Sequence, residues 1–84
     1  MSTKWFVYIL LCKDNSLYTG VSPDPQKRFE EHKAGRGGSY TRSHKPVRII
    51  YSEQFLSKSD ALKRELQIKK MPRSTKIGLL KREP

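Results

Sequence analysis

The stretch Trp5–Val21, WFVYILLCKDNSLYTGV, decides the fold, because apolar density and turn chemistry coincide only there. Trp5 to Cys12 is an unbroken apolar run rich in β-branched and aromatic residues, too short for an ordinary helix and suited to a strand covered on both faces. It is the expected central strand. Lys13, Asp14 and Asn15 supply a three-residue turn ending in a left-handed residue, a conformation that asparagine takes more readily than other non-glycine residues. With Cys12 opposite Ser16, Leu10 faces Tyr18 and Tyr8 faces Gly20, so the two tyrosines share one side of the sheet, roughly 7–8 Å apart at Cβ. A two-residue turn would send them to opposite faces. Gly20 is a poor strand former, and here it is read as clearing space beside Tyr8 for another backbone or a ligand.

Working outward, Asp24-Pro25 opens a helix as N-cap acid and first-turn proline, running to about Lys33 with Gly35 past its end. Helical spacing puts Pro25, Arg28, Phe29 and His32 on one face, so an arginine and a histidine flank the aromatic anchor. Residues 35–46, GRGGSYTRSHKP, are glycine-rich and basic and lack the Gly-Lys-Ser/Thr ending of a P-loop. Arg36, Tyr40, Arg42, His44 and Lys45 suit a phosphate backbone, with Tyr40 stacking on a base and one short helical turn around it. Val47 to Phe55 alternates as a third strand, with Pro46 at its start.

Ser57 or Ser59 caps the next helix, Asp60 completes a capping-box-like pattern and Pro72 stops it. Glu65 falls inside the apolar stripe of Ala61, Leu62, Leu66 and Ile68, where a carboxylate needs a cation, a metal or a donor. Lys69, one turn on, is the plain alternative partner. Ser74 to Arg82 reads as a short basic helix with Ile77 and Leu80 closing the core.

The totals bound the function classes. The 84 residues make one expected domain, 1–84, with its core at about 5–81, large enough to bury only about 60–65% of the unfolded surface. A lone Cys12 excludes an intramolecular disulfide, and with only His32 and His44 beside it there is no structural zinc set; the expected compartment is cytoplasmic. The apolar N-terminal run is short and enters KDN without a small-residue cleavage pattern, so neither a signal peptide nor a membrane span is expected. Eighteen basic residues against eight acidic ones give a net charge of +10, and residues 43–84 hold +7 of it (11 basic, 4 acidic). Such a field draws polyanions, nucleic acid first among them.

The order of these features resembles the GIY-YIG nuclease superfamily, in particular its small stand-alone bacterial proteins. Val7-Tyr8-Ile9 and Tyr18-Thr19-Gly20 stand for the paired motifs, Arg28 and His32 follow on the first helix, then Tyr40-Thr41-Arg42, then Glu65. The resemblance runs from about Trp5 to Lys81. It implies an α+β fold, a small three-stranded antiparallel sheet flanked by helices, and a metal-dependent endonuclease that hydrolyses phosphodiester bonds in nucleic acid, with DNA favoured over RNA. By the same resemblance Tyr8, Tyr18, Arg28, His32 and Glu65 are the catalytic set, Glu65 holding one Mg²⁺ or Mn²⁺. Gly20, Arg36, Tyr40, Thr41, Arg42, His44 and Lys45 are the expected nucleic-acid contacts of a monomer. Val7 and Thr19 replace the usual glycine and isoleucine, and Val21 stands where many relatives carry lysine, which leaves charge stabilisation to Arg28 and the metal. The general base is Tyr8, Tyr18 or His32, with Tyr8 favoured because Gly20 faces it. The competing class is a non-catalytic DNA-, RNA- or ribosome-binding module.

Overall fold

The computed structural model describes residues 4–80. Strands β1 (Trp5–Cys12) and β2 (Leu17–Ser22) form the hairpin. Its turn is closed by Cys12 N–H donating to Ser16 O at 2.9 Å and Asn15 N–H donating to Cys12 O at 2.9 Å. Asn15 has φ 70°, the only positive φ at a non-glycine among the described residues. That turn sets the expected register, Leu10 opposite Tyr18 and Tyr8 opposite Gly20. Strand β3 (Pro46–Phe55) pairs antiparallel on the other side of β1, giving the order β2-β1-β3 with β1 central.

Both faces of β1 are buried, which is why its sequence runs apolar without alternation. Val7 and Ile9 meet Ala61 and Ile68 of α3 (Lys58–Lys69) and Leu79 of α4 (Arg73–Leu80). Tyr8 and Leu10 meet Phe29 of α1 (Pro25–Lys33). The helix starts are as read: the Asp24 carboxylate accepts from Lys27 N–H at 3.1 Å and the Ser57 hydroxyl from Asp60 N–H at 3.1 Å. The short turn α2 spans Ser39–Ser43.

Three expectations change. The alternation expected in β3 is interrupted twice, since pairing passes from Ile9–Tyr51 to Leu10–Ile49 and from Leu11–Arg48 to Cys12–Pro46, skipping Ile50 and Val47. Ile49 therefore packs with Tyr8 while Ile50 and Tyr51 both join the opposite core. On α3, Leu62 and Leu66 are 41% and 59% exposed. The buried edge is Ala61 and Ile68, flanked by Arg64 and Glu65, because the Arg64 fork reaches back to Glu53 on β3, Nε to Oε1 at 3.0 Å and Nη2 to Oε2 at 3.0 Å. Burial alone would raise the Glu53 carboxyl; Arg64 and the donating Tyr51 hydroxyl outweigh it and hold the pKa below its ordinary value. In α4 the buried residue is Leu79, with Ile77 and Leu80 only half-buried, and residues 81 and 82 of that expected helix lie outside the described residues.

Thr19 sits opposite Ile9 with its hydroxyl oxygen buried and without a hydrogen-bond partner among the described residues. An unsatisfied buried hydroxyl costs about 1–3 kcal/mol. Thr19→Val keeps the shape and the β-branched preference for a strand, so it is expected to raise unfolding stability by about 1 kcal/mol, read as a higher denaturation midpoint at unchanged slope.

Candidate active site

Tyr8 and Tyr18 project from adjacent strands on the α1 side, ring centroids 6.5 Å apart. The gap left by Gly20 is filled by Tyr8 itself: a Cβ there would lie 2.7 Å from the phenol Cζ. Gly20 is buried, and the space expected for a ligand is taken by the Tyr8 ring.

Helix α1 brings in the next two groups, because Arg28 and His32 are one turn apart on the face that Phe29 anchors. His32 is 1% exposed; its Nε2 lies 3.1 Å from the Tyr8 hydroxyl and its Nδ1 2.8 Å from Thr41 Oγ1. The Tyr18 ring meets its edge at 5.0 Å. Burial, and then the Arg28 charge, push the His32 pKa down, which favours a neutral imidazole. Arg28 donates from Nη1 to Glu31 at 3.0 Å and from Nη2 to Gly37 O at 3.2 Å, leaving its guanidinium beside Tyr8. Burial drives the Tyr8 phenol well above its ordinary pKa and Tyr18 adds to this; Arg28 opposes them, and Glu65 gives a further small push upward. Four of the expected catalytic residues thus act on one phenol.

Glu65 is largely buried, its side chain 17% exposed, and Lys69 Nζ stands 3.3 Å from Oε2. The described residues hold no group of three or more His, Cys, Asp or Glu that could hold a metal ion. A single carboxylate suits a hard ion that keeps most of its waters, as Mg²⁺ does, and does not suit zinc.

The expected nucleic-acid contacts divide. Arg36, Arg42 and Lys45 are exposed and available. Tyr40 is 39% exposed, but its ring stacks on Tyr18 at 5.7 Å and on His44 at 4.2 Å, so it joins a protein stack where a free base platform was expected. His44 donates from Nδ1 to Tyr40 O at 3.0 Å, and its Nε2 lies 3.4 Å from Asp14. Thr41 was expected as a nucleic-acid contact; it is 1% exposed and turned inward onto His32. Gly37 stands in the sequence only as one glycine of the basic 35–46 segment; a Cβ there would overlap the His32 ring, 2.5 Å from Cγ. No local pattern marks Gly37, and Thr41, expected as a nucleic-acid contact, takes a different partner, since both positions meet a histidine from another element.

The family model of the GIY-YIG catalytic domain matches residues 4–77. The chain belongs to the GIY-YIG family. It is 46% identical over 77 residues to a UPF0213 protein of Staphylococcus haemolyticus, covering 92% of this chain and 94% of that one. It is 47% identical over 75 residues to a UPF0213 protein of Cupriavidus pinatubonensis, covering 89% and 83%. Among solved structures it resembles the solution NMR structure of a UPF0213 protein from Bacillus halodurans, with 38% identity, TM-score 0.59, and coverage of 93% of this chain and 83% of that one. A solution NMR structure of an E. faecalis protein aligns with TM-score 0.63 and 37% identity over the same shares. The GIY-YIG fold here is the expected α+β arrangement, a three-stranded antiparallel sheet with flanking helices. No described helix is long and apolar enough to cross a membrane.

Proposed function

We propose that this GIY-YIG protein is a metal-dependent endonuclease acting on nucleic acid, with DNA the favoured substrate. The observation that carries the reading is the Tyr8 hydroxyl, 3.1 Å from a buried histidine nitrogen and in the fields of Arg28 and Glu65. Tyr8 passes its proton to His32 Nε2 as it takes one from the attacking water, so a phenol too weakly basic to act alone is deprotonated locally. Arg28 turns from Glu31 to the phosphate oxygens and supplies a planar donor fork. Tyr18 buttresses the imidazole edge. Glu65, released by Lys69, would hold one Mg²⁺ or Mn²⁺, which when bound neutralises the scissile phosphate and the leaving oxygen. Arg36, Arg42 and Lys45 steer the backbone toward this face within a field of +10.

The Glu65–Lys69 pair also favours a second reading, a basic binding module without catalysis. Incubating the purified protein with labelled single-stranded, duplex and branched DNA and RNA, with and without Mg²⁺ or Mn²⁺, separates the two. The nuclease reading expects cleavage only with metal, and binding that weakens steeply with salt as counterions are released. Salt-sensitive binding with no product in any lane would establish the binding module instead.

A further inference from the structure

We infer that Thr41 is the positioning residue that selects the tautomer of His32, leaving Nε2 bare to accept from Tyr8; the consequence for cleavage rests on the function proposed above. Thr41 Oγ1 carries one proton, and the carbonyl of Gly38, three residues back on the same turn, lies 3.4 Å away to accept it. That carbonyl is itself held by Arg42 N–H at 3.2 Å as the first bond of α2. With its proton turned to Gly38, Thr41 offers a lone pair to His32 Nδ1 at 2.8 Å, so Nδ1 must bear the hydrogen. A neutral imidazole has one N–H, hence Nε2 holds a lone pair and the Tyr8 hydroxyl, 3.1 Å away, donates into it.

The reverse tautomer is worse on every contact. Nε2–H would point at the Tyr8 oxygen, leaving the hydroxyl proton of a residue 1% exposed without an acceptor among these contacts. Thr41 would also have to abandon Gly38 to serve a bare Nδ1. The ring cannot escape by tilting, because Gly37 lies hard against it. The Tyr40-Thr41 step thus divides its work: the tyrosine stacks on Tyr18 and His44 and the threonine orients His32.

The test reads the tautomer directly by long-range proton–nitrogen NMR correlation of the imidazoles at a pH where they are neutral. The chain has two histidines, so His32 is assigned against His44. The wild-type protein is expected to show Nδ1 protonated and Nε2 bare. In Thr41→Val, which keeps the shape and removes the acceptor, the Nε2-protonated form should become the major one, while Thr41→Ser should retain the wild-type pattern. An Nε2–H signal in the wild type, or an unchanged Nδ1–H pattern in folded Thr41→Val, overturns the assignment; if the valine variant does not fold, the wild-type spectrum decides alone. This readout does not depend on cleavage, so it judges Thr41 even where the nuclease reading fails. Where the wild type cuts, Thr41→Val should lower kcat by about 10–100-fold with KM little changed, and Thr41→Ser should restore it.

Discussion

Glu65→Gln is expected to lower metal-dependent cleavage by about 10³-fold or more in a protein that still folds and still binds nucleic acid. The substitution keeps the side-chain shape and removes the carboxylate to which the proposed function gives the divalent ion, a charge of α3 that is felt at the Tyr8 phenol. Its structural cost is small. The bond lost is one pair within a helix turn to Lys69, itself half-exposed, and such pairs contribute about 0.3–0.5 kcal/mol. Removing a largely buried carboxylate offsets part of that, so the denaturation midpoint should hardly move. The test is cleavage and oligonucleotide binding on the same preparation, with Arg28→Ala beside it. Arg28→Ala should also lose cleavage, since the guanidinium lies beside the same phenol. Wild-type rates from folded Glu65→Gln would mean that Glu65 only pairs with Lys69, and the metal assignment would fall.

Gly37→Ala should cost about 2–3 kcal/mol of stability and remove activity with it. The added methyl would meet the His32 ring within 2.6 Å at both Cγ and Cε1. Because that ring is 1% exposed and bonded through both nitrogens, it can yield only by losing Tyr8 or Thr41. The other response, withdrawal of the 37–41 segment, would remove the Gly37 carbonyl from Arg28. Either way the damage reaches the site. Gly78→Ala is the control: its Cβ position is open and lies within α4, so alanine there should be neutral or stabilising by about 0.5–1 kcal/mol. Equilibrium denaturation of the two variants beside the wild type measures both effects, and an unperturbed Gly37→Ala would show that His32 is not packed as described.

What could be read from the chain follows the range of the forces involved. The hairpin register, the shared face of Tyr8 and Tyr18, the caps at Asp24 and Ser57 and the nearness of Arg28 and His32 rest on contacts within a few residues, where φ at Asn15 and the strand and helix periods leave little choice. Those local rules placed three strands, put the two tyrosines on one sheet face and set Arg28 beside His32 on one helix face. They misplaced the stripe of α3, since Leu62 and Leu66 satisfy a helical pattern equally well while the burial of Arg64 depends on Glu53, eleven residues back on another element. They could not see the skips at Ile50 and Val47, which arise from pairing with β1. Nor could they assign Thr41 and Gly37, which looked like parts of a basic loop until α2 folded back over α1. The sequence by itself determined the frame and which groups hang on it, because strand register and helix phase are nearest-neighbour properties. Only the tertiary structure decided which hydroxyl faces which ring nitrogen and which tyrosine face is already covered, because a hydrogen bond between distant segments exists only once both have been packed to within about 3 Å.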